Sequence, residues 1–260
     1  MADRKTAIVT GSTSGIGLGI AEAFAAEGFN IVLNGLSSPE DVEETRKTLD
    51  DVSAGDVVFD GANMLNPDEI AAMVTNAEKR FGSVDILVNN AGIQHVEAIE
   101  DFPVKSWDAI IGINLSSSFH TIKAAIPGMK SRGFGRIINL ASAHALVASP
   151  YKSAYVAAKH GMAGLTKVVA LEAAEQGVTC NAICPGYVLT PLVENQIPET
   201  AEARGITEEE VKRDVLLAAQ PTKEFVTTEQ LGAFCVFLSS DAAASINGAI
   251  LPVDGGWTAQ

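Results

Sequence analysis

The chain is short of cysteine and of positive charge, and each shortage excludes a class of protein. Its three cysteines, Cys180, Cys184 and Cys235, are an odd and sparse set that fits a reducing compartment rather than a disulfide framework. Eighteen Lys and Arg against 32 Asp and Glu give a formal net charge of −14, so no basic surface is expected for nucleic acid. The four histidines show no metal-ligand spacing, and we expect no bound metal.

Long hydrophobic runs are missing as well. No apolar run approaches the roughly 20 residues that cross a bilayer, and residues 1–5 lead into the first strand without a signal-peptide core. We therefore expect no membrane partner and a cytoplasmic location. With 47% hydrophobic and 19% charged residues, the 260 residues suit one large α/β domain that covers the whole chain, 1–260.

Short apolar runs alternate with helical patterns from one end of the chain to the other. Asn66, followed by Pro67 and two acids, is typical of a helix start, and Gly82 is typical of a helix stop. Because strands that alternate with helices pair through right-handed crossovers, the pattern predicts a parallel sheet. Strands are expected at 6–10, 30–34, 56–60, 84–88, 136–141, 178–184 and 249–253, and helices at 16–27, 39–49, 66–81, 107–130, 153–175 and 227–239.

A glycine-rich turn follows the first predicted strand, with glycine at positions 11, 15 and 17. A strand, a glycine turn and a helix N-terminus together form a site for a pyrophosphate, because backbone N–H groups and the helix dipole attract the anion. An ordinary glycine turn is the alternative. In a dinucleotide fold the residues after the second strand, here Gly35, Leu36 and Ser37, meet the adenosine ribose. Since no Lys or Arg occurs over 31–45, NAD is favoured over NADP.

Tyr155 and Lys159 are four residues apart on a predicted helix and therefore share a face. An ammonium one turn away should pull the pKa of the phenol well below its ordinary value near 10, which would let the tyrosine act as a base. Ser142, at the end of the fifth predicted strand, can hydrogen-bond the same substrate oxygen. A tyrosine that packs on its helix beside a solvent-exposed lysine is the alternative.

Two further features call for an explanation. Asn114 lies inside an apolar helical pattern, where a buried amide needs hydrogen-bond partners. The segment 188–218 is polar, carries a capping box at Thr207 and Glu210, and separates the sixth strand from the next core helix. Its length makes it a candidate lid over a substrate, and a peripheral helical pair is the alternative.

Six motifs in register resemble the short-chain dehydrogenase/reductase family: Gly11-x3-Gly15-x-Gly17, Asn89-Asn90-Ala91-Gly92, Asn114, Ser142, Tyr155-x3-Lys159 and Pro185-Gly186. The resemblance implies a single doubly wound, Rossmann-type α/β domain with a seven-stranded parallel sheet, helices on both faces and a helical lid after strand six. It also implies hydride transfer to a nicotinamide cofactor.

The resemblance assigns roles to these residues. Tyr155 would be the general base, Ser142 its orienting partner, and Lys159 the ribose ligand that lowers the pKa of the base. Asn114 would hold a water in a proton relay, and Thr190 would meet the nicotinamide carboxamide. Asn63 and Met64 stand where an Asp and an aliphatic residue are usual at the adenine. The implied cofactor contacts are Gly11, Thr13, Ser14, Gly15, Ile16, Gly17, Leu36, Asn63, Met64, Asn90, Ala91, Gly92, Tyr155, Lys159, Pro185, Gly186, Val188 and Thr190.

A narrower set of motifs is similar to a group of bacterial dehydrogenases in that family that interconvert 3-hydroxybutyrate and acetoacetate. The implied substrate contacts are Gln94, Ser142, His144, Lys152, Tyr155, Tyr187, Gln196 and Trp257. Of these, Gln94, His144, Lys152 and Gln196 would hold the carboxylate, and Trp257 and Tyr187 would line the methyl end, with Tyr187 in place of a usual tryptophan. The resemblance also implies a homotetramer, and the long helices at 107–130 and 153–175 suit an interface.

The residues themselves support a carboxylate site at Lys152. It lies on the same predicted helical stripe as Tyr155 and Lys159, and a lysine in a first turn opposes the helix dipole unless an anion is near. A solvent-exposed lysine is the alternative, and His144 alone suggests a packed histidine. Other functions stay open: another NAD-dependent dehydrogenase of a small hydroxy acid or sugar acid, a reductase of acyl-carrier-protein substrates, or a catalytically silent NAD-binding sensor.

Overall fold

Seven parallel strands form one sheet in the order β3-β2-β1-β4-β5-β6-β7. The computed structural model describes residues 4–259, without the side chains of Leu192, Gln196 and Glu199. The seven-stranded parallel sheet predicted from the sequence is confirmed. Its strands are β1 Thr6–Val9, β2 Asn30–Leu33, β3 Val57–Phe59, β4 Ile86–Asn89, β5 Gly135–Leu140, β6 Val178–Pro185 and β7 Ile250–Val253.

Helices cover both faces of the sheet, as expected for strands that are apolar on both sides. The helices that position the site are α1 Gly15–Ala26, α2 Pro39–Val52, α3 Pro67–Phe81, α4 Val104–Ile111, α5 Ser117–Arg132, α6 Ser153–Ala173 and α10 Thr228–Ser239. Three short helices, α7 Pro191–Glu194, α8 Gln196–Arg204 and α9 Glu208–Glu210, lie between β6 and α10.

Two apolar layers hold these elements together. On one face Ile20 and Phe24 of α1 and Leu231 of α10 pack with Val9 of β1, and all four side chains are fully buried. On the other face α3, α5 and α6 supply Met73, Met129 and Ala173, which are also buried to within 1%. Burial of a side chain of this size contributes about 1.5–3 kcal/mol, so the strands are fixed from both sides.

The direction of the strand order reverses between β1 and β4, which pair with each other while β2 and β5 lie on opposite flanks. In an open α/β sheet, a crevice forms outside the carboxyl ends of the strands at such a reversal. The glycine turn after β1 and the Asn89–Gly92 loop after β4 meet there: the backbone N–H of Thr10 donates to Val88 O, and that of Asn90 to Thr10 Oγ1.

The helix predicted at 107–130 differs from the observed one. It begins earlier, at Val104, and a π-helical turn, Gly112–Ser116, separates α4 from α5. Asn114, which the sequence marked as anomalous, lies in that turn and is fully buried. A turn with one extra residue leaves the apolar pattern readable on both sides, so periodicity alone does not reveal it.

Other local predictions are confirmed. Asn66 caps α3 by accepting hydrogen bonds from the N–H groups of Asp68 and Glu69, and Gly82 ends the helix with φ +86°. The capping box between Thr207 and Glu210 is present at α9. Within residues 4–259, no helix is both long and apolar enough to cross a bilayer.

Candidate active site

A cavity of about 610 Å³ lies at the carboxyl ends of the central strands, where the strand order reverses. It is lined by nearly every cofactor and substrate residue that the sequence predicted. Three predicted residues are not among the lining side chains. Gly17 and Asn114 are buried and do not line the cavity, and the side chain of Gln196 is outside the described residues. The sequence did not single out Asn34, Ile93, Ile113 and Val193, which also line it.

The glycine turn fits a pyrophosphate. Gly11 has φ +61°, and a Cβ on Gly17 would clash with the carbonyl oxygen of Gly11, so the helix and the turn approach as closely as backbone allows. In the described chain the Ser14 side chain makes no capping hydrogen bond to α1. The first N–H groups of this helix therefore face the cavity free to bind an anion.

The adenosine end of the cavity is neutral. Leu36 is 90% exposed at its edge. The helix that follows, α2, brings Arg46, but Arg46 Nε lies 2.8 Å from Glu43 Oε2 and its Nη1 lies 3.4 Å from Asp50 Oδ2. Both carboxylates belong to α2, so the Arg46 guanidinium is paired within its own helix. A 2′-phosphate would consequently find no unpaired cation here among the described residues.

Asn34 is a positioning residue that the sequence did not reveal. From the end of β2 its Oδ1 accepts a hydrogen bond from Gly11 N at 3.3 Å, and its Nδ2 donates to Asp60 O and Ala62 O at 3.0 and 2.9 Å. It thereby joins the glycine turn to the loop that carries Asn63. Asn63, which departs from the family pattern, turns its side chain to its own loop and accepts a hydrogen bond from Leu65 N at 2.9 Å.

Both ends of the Asn114 amide bind a neighbouring loop. Its Oδ1 accepts a hydrogen bond from Ile93 N at 2.8 Å, and its Nδ2 donates to Ile93 O at 2.9 Å. These two hydrogen bonds give the buried Asn114 amide the partners that it needs inside an apolar helical segment. The side chain therefore fixes the backbone beside Gly92 and Gln94, and its second N–H and second lone pair remain for the water that the family resemblance predicts here.

Tyr155 and Lys159 lie on one face of α6, as predicted, with Lys159 Nζ 5.5 Å from the centroid of the tyrosine ring. Lys159 is 3% exposed and donates to Leu140 O, at the end of β5, at 2.6 Å. Burial lowers the pKa of the Lys159 ammonium to about 8. The lysine is thus held by the fold at the centre of the cavity, where it is only weakly solvated.

The predicted pKa of Tyr155 is wrong for this structure. Burial raises the pKa of the phenol, and the hydrogen bond with Ser142 lowers it by less. The four-residue spacing predicted that the Lys159 ammonium lies near Tyr155. It could not predict how completely the fold removes solvent from the phenol. Desolvation disfavours the phenolate more than the neighbouring groups favour it.

A short turn, rather than a strand, brings Ser142 and His144 together. β5 ends at Leu140, and Ser142 caps a short 3₁₀ turn, Ala143–Ala145, by accepting a hydrogen bond from His144 N at 3.2 Å. His144 Nδ1 lies 3.3 Å from Ser142 Oγ, and its Nε2 lies 2.8 Å from Ser149 Oγ. Burial lowers the pKa of the imidazole to about 4, so the ring is neutral at physiological pH.

Lys152 lies at the cap position before α6 rather than in the first helical turn. It lines the cavity, and burial lowers the pKa of its ammonium. Its Nζ is 5.8 Å from the centroid of the Tyr187 ring, a cation–π contact that partly replaces lost water. Within the described side chains, no carboxylate lies within ion-pair distance of it.

An aromatic wall closes the same end of the cavity. The rings of Tyr187 and Trp257 are parallel to within 5° at a centroid distance of 5.9 Å, and Trp257 meets His144 edge-on at 5.1 Å. Asp254 holds the turn that carries Trp257, because its carboxylate accepts hydrogen bonds from Gly256 N and Thr258 N. Gln220 accepts a hydrogen bond from Tyr187 N and fixes the other ring.

The described charged side chains that line the cavity are all positive. Of its described lining residues only Lys152 and Lys159 carry a charge, and no carboxylate is among them. The protein as a whole has a net charge of −14, so the cavity is a local exception to a negative field. The arrangement can bind a dinucleotide along the glycine turn and a small anion beside Tyr155.

Comparisons with known proteins agree with this geometry. A family model described as enoyl-(acyl carrier protein) reductase matches residues 11–258. D-beta-hydroxybutyrate dehydrogenase of Rhizobium meliloti (strain 1021) is 61% identical over 256 residues, which are 98% of this chain and 99% of that protein. The D-beta-hydroxybutyrate dehydrogenase of Cupriavidus necator is 57% identical over 261 residues, 100% of both chains. An uncharacterized oxidoreductase of Bacillus subtilis (strain 168) is 40% identical over 259 residues, 99% of each.

Proposed function

Because the chain belongs to the short-chain dehydrogenase/reductase family, we propose that it catalyses the reversible oxidation of (R)-3-hydroxybutyrate to acetoacetate with NAD. The observation that carries this proposal is the cavity itself, which Lys152 and Tyr155 both line, with no carboxylate among its described lining residues. A small hydroxy acid can set its hydroxyl against the tyrosine and its carboxylate against the lysine. The two relatives above 55% identity, both named for this activity, support the substrate.

The cofactor is NAD, which supplies the hydride acceptor when bound. Its pyrophosphate would lie against the N-terminus of α1, where the approach of Gly17 to Gly11 leaves no room for a Cβ. Leu36 and Ser37 would face the ribose of the adenosine, and Asn63 and Met64 the adenine. The other proposed contacts line the cavity between these points: Thr13, Ser14, Gly15, Ile16, Asn90, Ala91, Gly92, Pro185, Gly186, Val188 and Thr190.

Tyr155 is the base that removes the hydroxyl proton in the oxidation. The phenol must reach the substrate oxygen and give up its own proton near neutral pH, although burial raises its pKa. Ser142 lowers that pKa in part, and the ammonium of Lys159, 5.5 Å from the ring centroid, is a cation that favours the phenolate. Ser142 also holds the substrate oxygen, and general-base help of this kind contributes about a hundredfold to ten-thousandfold in rate.

Lys152 and Gln94 hold the substrate carboxylate. Burial removes water from the Lys152 ammonium, and a bound anion would compensate for that lost solvation. Charge-assisted hydrogen bonds of this kind contribute about 1.5–3 kcal/mol each. His144 lines the same end of the cavity and is proposed as a third member of this set, with its Nε2 2.8 Å from Ser149 Oγ. Gln196 remains a proposed fourth member on the grounds of the family resemblance. Tyr187 and Trp257 enclose the methyl end.

The segment 188–218 is proposed as a lid that closes over the substrate. It has a small core of its own, in which Ile197, Ala201 and Val211 are buried, and α8 packs mainly on α7, α9 and the π-helical turn Val211–Leu216. Val193 reaches the cavity from it. Hydrogen exchange over this segment is expected to slow when NAD and substrate bind together, and exchange that stays unchanged would contradict a closing motion.

The active protein is proposed to be a homotetramer. Helices α5 and α6 expose Phe119, Val168 and Leu171, which are 46%, 52% and 82% exposed. Exposed apolar side chains grouped on long helices are typical of subunit interfaces. The mass measured by light scattering in solution tests this. We place the protein in the cytoplasm, since Cys180, Cys184 and Cys235 are all free and buried, as suits a reducing compartment.

The rise of NADH absorbance on mixing protein, NAD and (R)-3-hydroxybutyrate tests the function directly. The (S)-isomer, a sugar acid, a neutral secondary alcohol and an acyl-carrier-protein substrate serve as comparisons under the same conditions. We expect the (R)-hydroxy acid to have the highest kcat/KM. A higher kcat/KM with a sugar acid would instead favour an NAD-dependent dehydrogenase of sugar acids. Binding of NAD without any turnover would favour a catalytically silent NAD-binding sensor.

A further inference from the structure

A fully buried glutamine, Gln220, lies near the substrate end of the cavity without lining it. It follows the π-helical turn Val211–Leu216, at the point where the segment 188–218 rejoins the body of the protein. A buried amide needs hydrogen-bond partners, and both ends of this one have them. Its Oε1 accepts a hydrogen bond from Tyr187 N, and its Nε2 donates to Glu224 O at 2.8 Å.

The side-chain amide of Gln220 packs against the two loops that carry the aromatic rings. A Cβ on Gly186, in the loop after β6, would overlap Gln220 Oε1. A Cβ on Gly255, in the turn after β7, would lie 3.3 Å from Gln220 Nε2. Gly186 immediately precedes Tyr187, and Gly255 stands two residues before Trp257. The amide is therefore in close contact with the backbone on which both rings depend.

Neighbouring backbone groups bind the same two loops. Thr222 N donates to Gly255 O at 3.2 Å, and Val226 N donates to Tyr187 O at 2.9 Å. The N–H of Tyr187 is thus bound by the Gln220 side chain and its carbonyl by the Val226 backbone. Because both backbone groups of Tyr187 are held, its ring projects into the cavity from a fixed position. Of these two bonds, only the one from Gln220 depends on a side chain.

The position of the Tyr187 ring matters for the length of the substrate. Tyr187 and Trp257 both line the cavity, and their rings are parallel to within 5° at a centroid distance of 5.9 Å. An apolar pocket with fixed walls distinguishes substrates that differ by one methylene by about tenfold to 200-fold. A wall that retreats admits the extra carbon, and the discrimination falls. Whatever holds Tyr187 therefore controls how well the cavity distinguishes a four-carbon from a five-carbon acid.

We propose that Gln220 is a specificity-determining residue that favours four-carbon over five-carbon 3-hydroxy acids. It acts through Tyr187, whose backbone it holds, and it touches neither the substrate nor the cofactor. This role rests on the proposed function, because it concerns which 3-hydroxy acid is oxidised. It has a second consequence that does not depend on the reaction: the aromatic wall is already fixed in the free protein, before the segment 188–218 closes over a substrate.

Gln220→Met tests the specificity, since methionine fills a similar space but lacks the amide that binds Tyr187 N and Glu224 O. The measured quantity is the ratio of kcat/KM for (R)-3-hydroxybutyrate to that for (R)-3-hydroxypentanoate. We expect the ratio to fall about threefold to tenfold, with NAD affinity hardly changed. Gln176→Met, at the opposite end of β6 from the cavity, is the matched control. An unchanged ratio, even with lower rates for both acids, would make Gln220 merely structural and overturn the proposal.

A measurement on the wild type decides the matter if Gln220→Met does not fold. In hydrogen exchange resolved to single amides, Tyr187 N–H of the free protein should exchange at least about a hundredfold more slowly than in an unstructured peptide. Weaker protection would mean that the wall is not fixed and would overturn the proposal. If the wild type does not oxidise 3-hydroxybutyrate, the proposed function fails, and the exchange of Tyr187 N–H still decides whether Gln220 holds the wall. If it does oxidise 3-hydroxybutyrate and the ratio is unchanged in the variant, only the role of Gln220 fails.

Discussion

The two ends of the cavity are built in different ways. The nucleotide end is made of backbone: Gly11 and Gly17 pack without room for a Cβ, and the N-terminus of α1 presents its N–H groups. The substrate end is made of side chains from separate parts of the chain, with Lys152 before α6, Tyr187 after β6 and Trp257 after β7. We propose that the first end binds the pyrophosphate of NAD and that the second end selects the substrate.

This difference explains why the two ends carry different kinds of information. A backbone site needs only a glycine turn of the right shape and accepts many sequences around it, so it identifies a family. The substrate end depends on charge, and Lys152 is the only charged group among its described lining residues besides Lys159. A carboxylate there has to overcome the −14 charge of the whole protein.

The largest expected effect comes from breaking the substrate end alone. Tyr155→Phe removes the base and leaves the fold of α6 intact, so we expect kcat to fall about a hundredfold to ten-thousandfold. NADH affinity, measured by fluorescence, should change little. Tyr151→Phe is the matched control, since Tyr151 is 60% exposed in the loop before the helix. A Tyr155→Phe protein that kept more than a few per cent of wild-type activity would rule out Tyr155 as the base.

The converse change breaks the nucleotide end. Gly17→Ala drives a Cβ into the carbonyl oxygen of Gly11, and overpacking of this kind typically costs about 1–3 kcal/mol. NAD affinity should fall about tenfold to a hundredfold, because about 1.4 kcal/mol corresponds to a factor of ten. Gly164→Ala is the control, since a Cβ there meets nothing within 4 Å. Equal NAD affinities in wild type and Gly17→Ala by calorimetry would contradict the close approach as a requirement for binding.

A smaller effect is expected when the charge of the nucleotide end is altered. The wild type should prefer NAD to NADP by at least about tenfold, since a 2′-phosphate would be desolvated without a cation. Leu36→Arg adds a guanidinium at a residue that is 90% exposed, and kcat/KM with NADP should rise about threefold to tenfold. Val52→Arg, at the far end of α2, should leave it unchanged. Comparable kcat/KM for both cofactors in the wild type would overturn the preference.

Most of the fold and of the nucleotide end could be predicted from the sequence. The seven strands, the cap at Asn66 and the glycine turn depend on local patterns, and such patterns are visible along the chain. The boundary between α4 and α5 could not be predicted from the sequence. The π-helical turn at Gly112–Ser116 inserts a residue without altering the apolar pattern around it.

The substrate end was only partly predictable. Helical spacing placed Tyr155 beside Lys159, but the pKa of Tyr155 depends on burial by residues distant in the chain, and the expected lowering was wrong. Asn34 has no motif that marks it, because its role follows from what the fold brings within hydrogen-bond distance. Sequence patterns indicate which groups are present, whereas solvation and partners are properties of the folded chain.

The central claim is that Lys152 recognises a carboxylate. The most direct test is the ratio of kcat/KM for (R)-3-hydroxybutyrate to that for its methyl ester, measured in the wild type, in Lys152→Ala and in the exposed-lysine control Lys79→Ala. We expect Lys152→Ala to lower kcat/KM for the acid about tenfold to a hundredfold, the loss of one charge-assisted hydrogen bond. The ester value should fall far less, and Lys79→Ala should match the wild type. Equal losses for acid and ester would show that Lys152 is structural and would contradict the account.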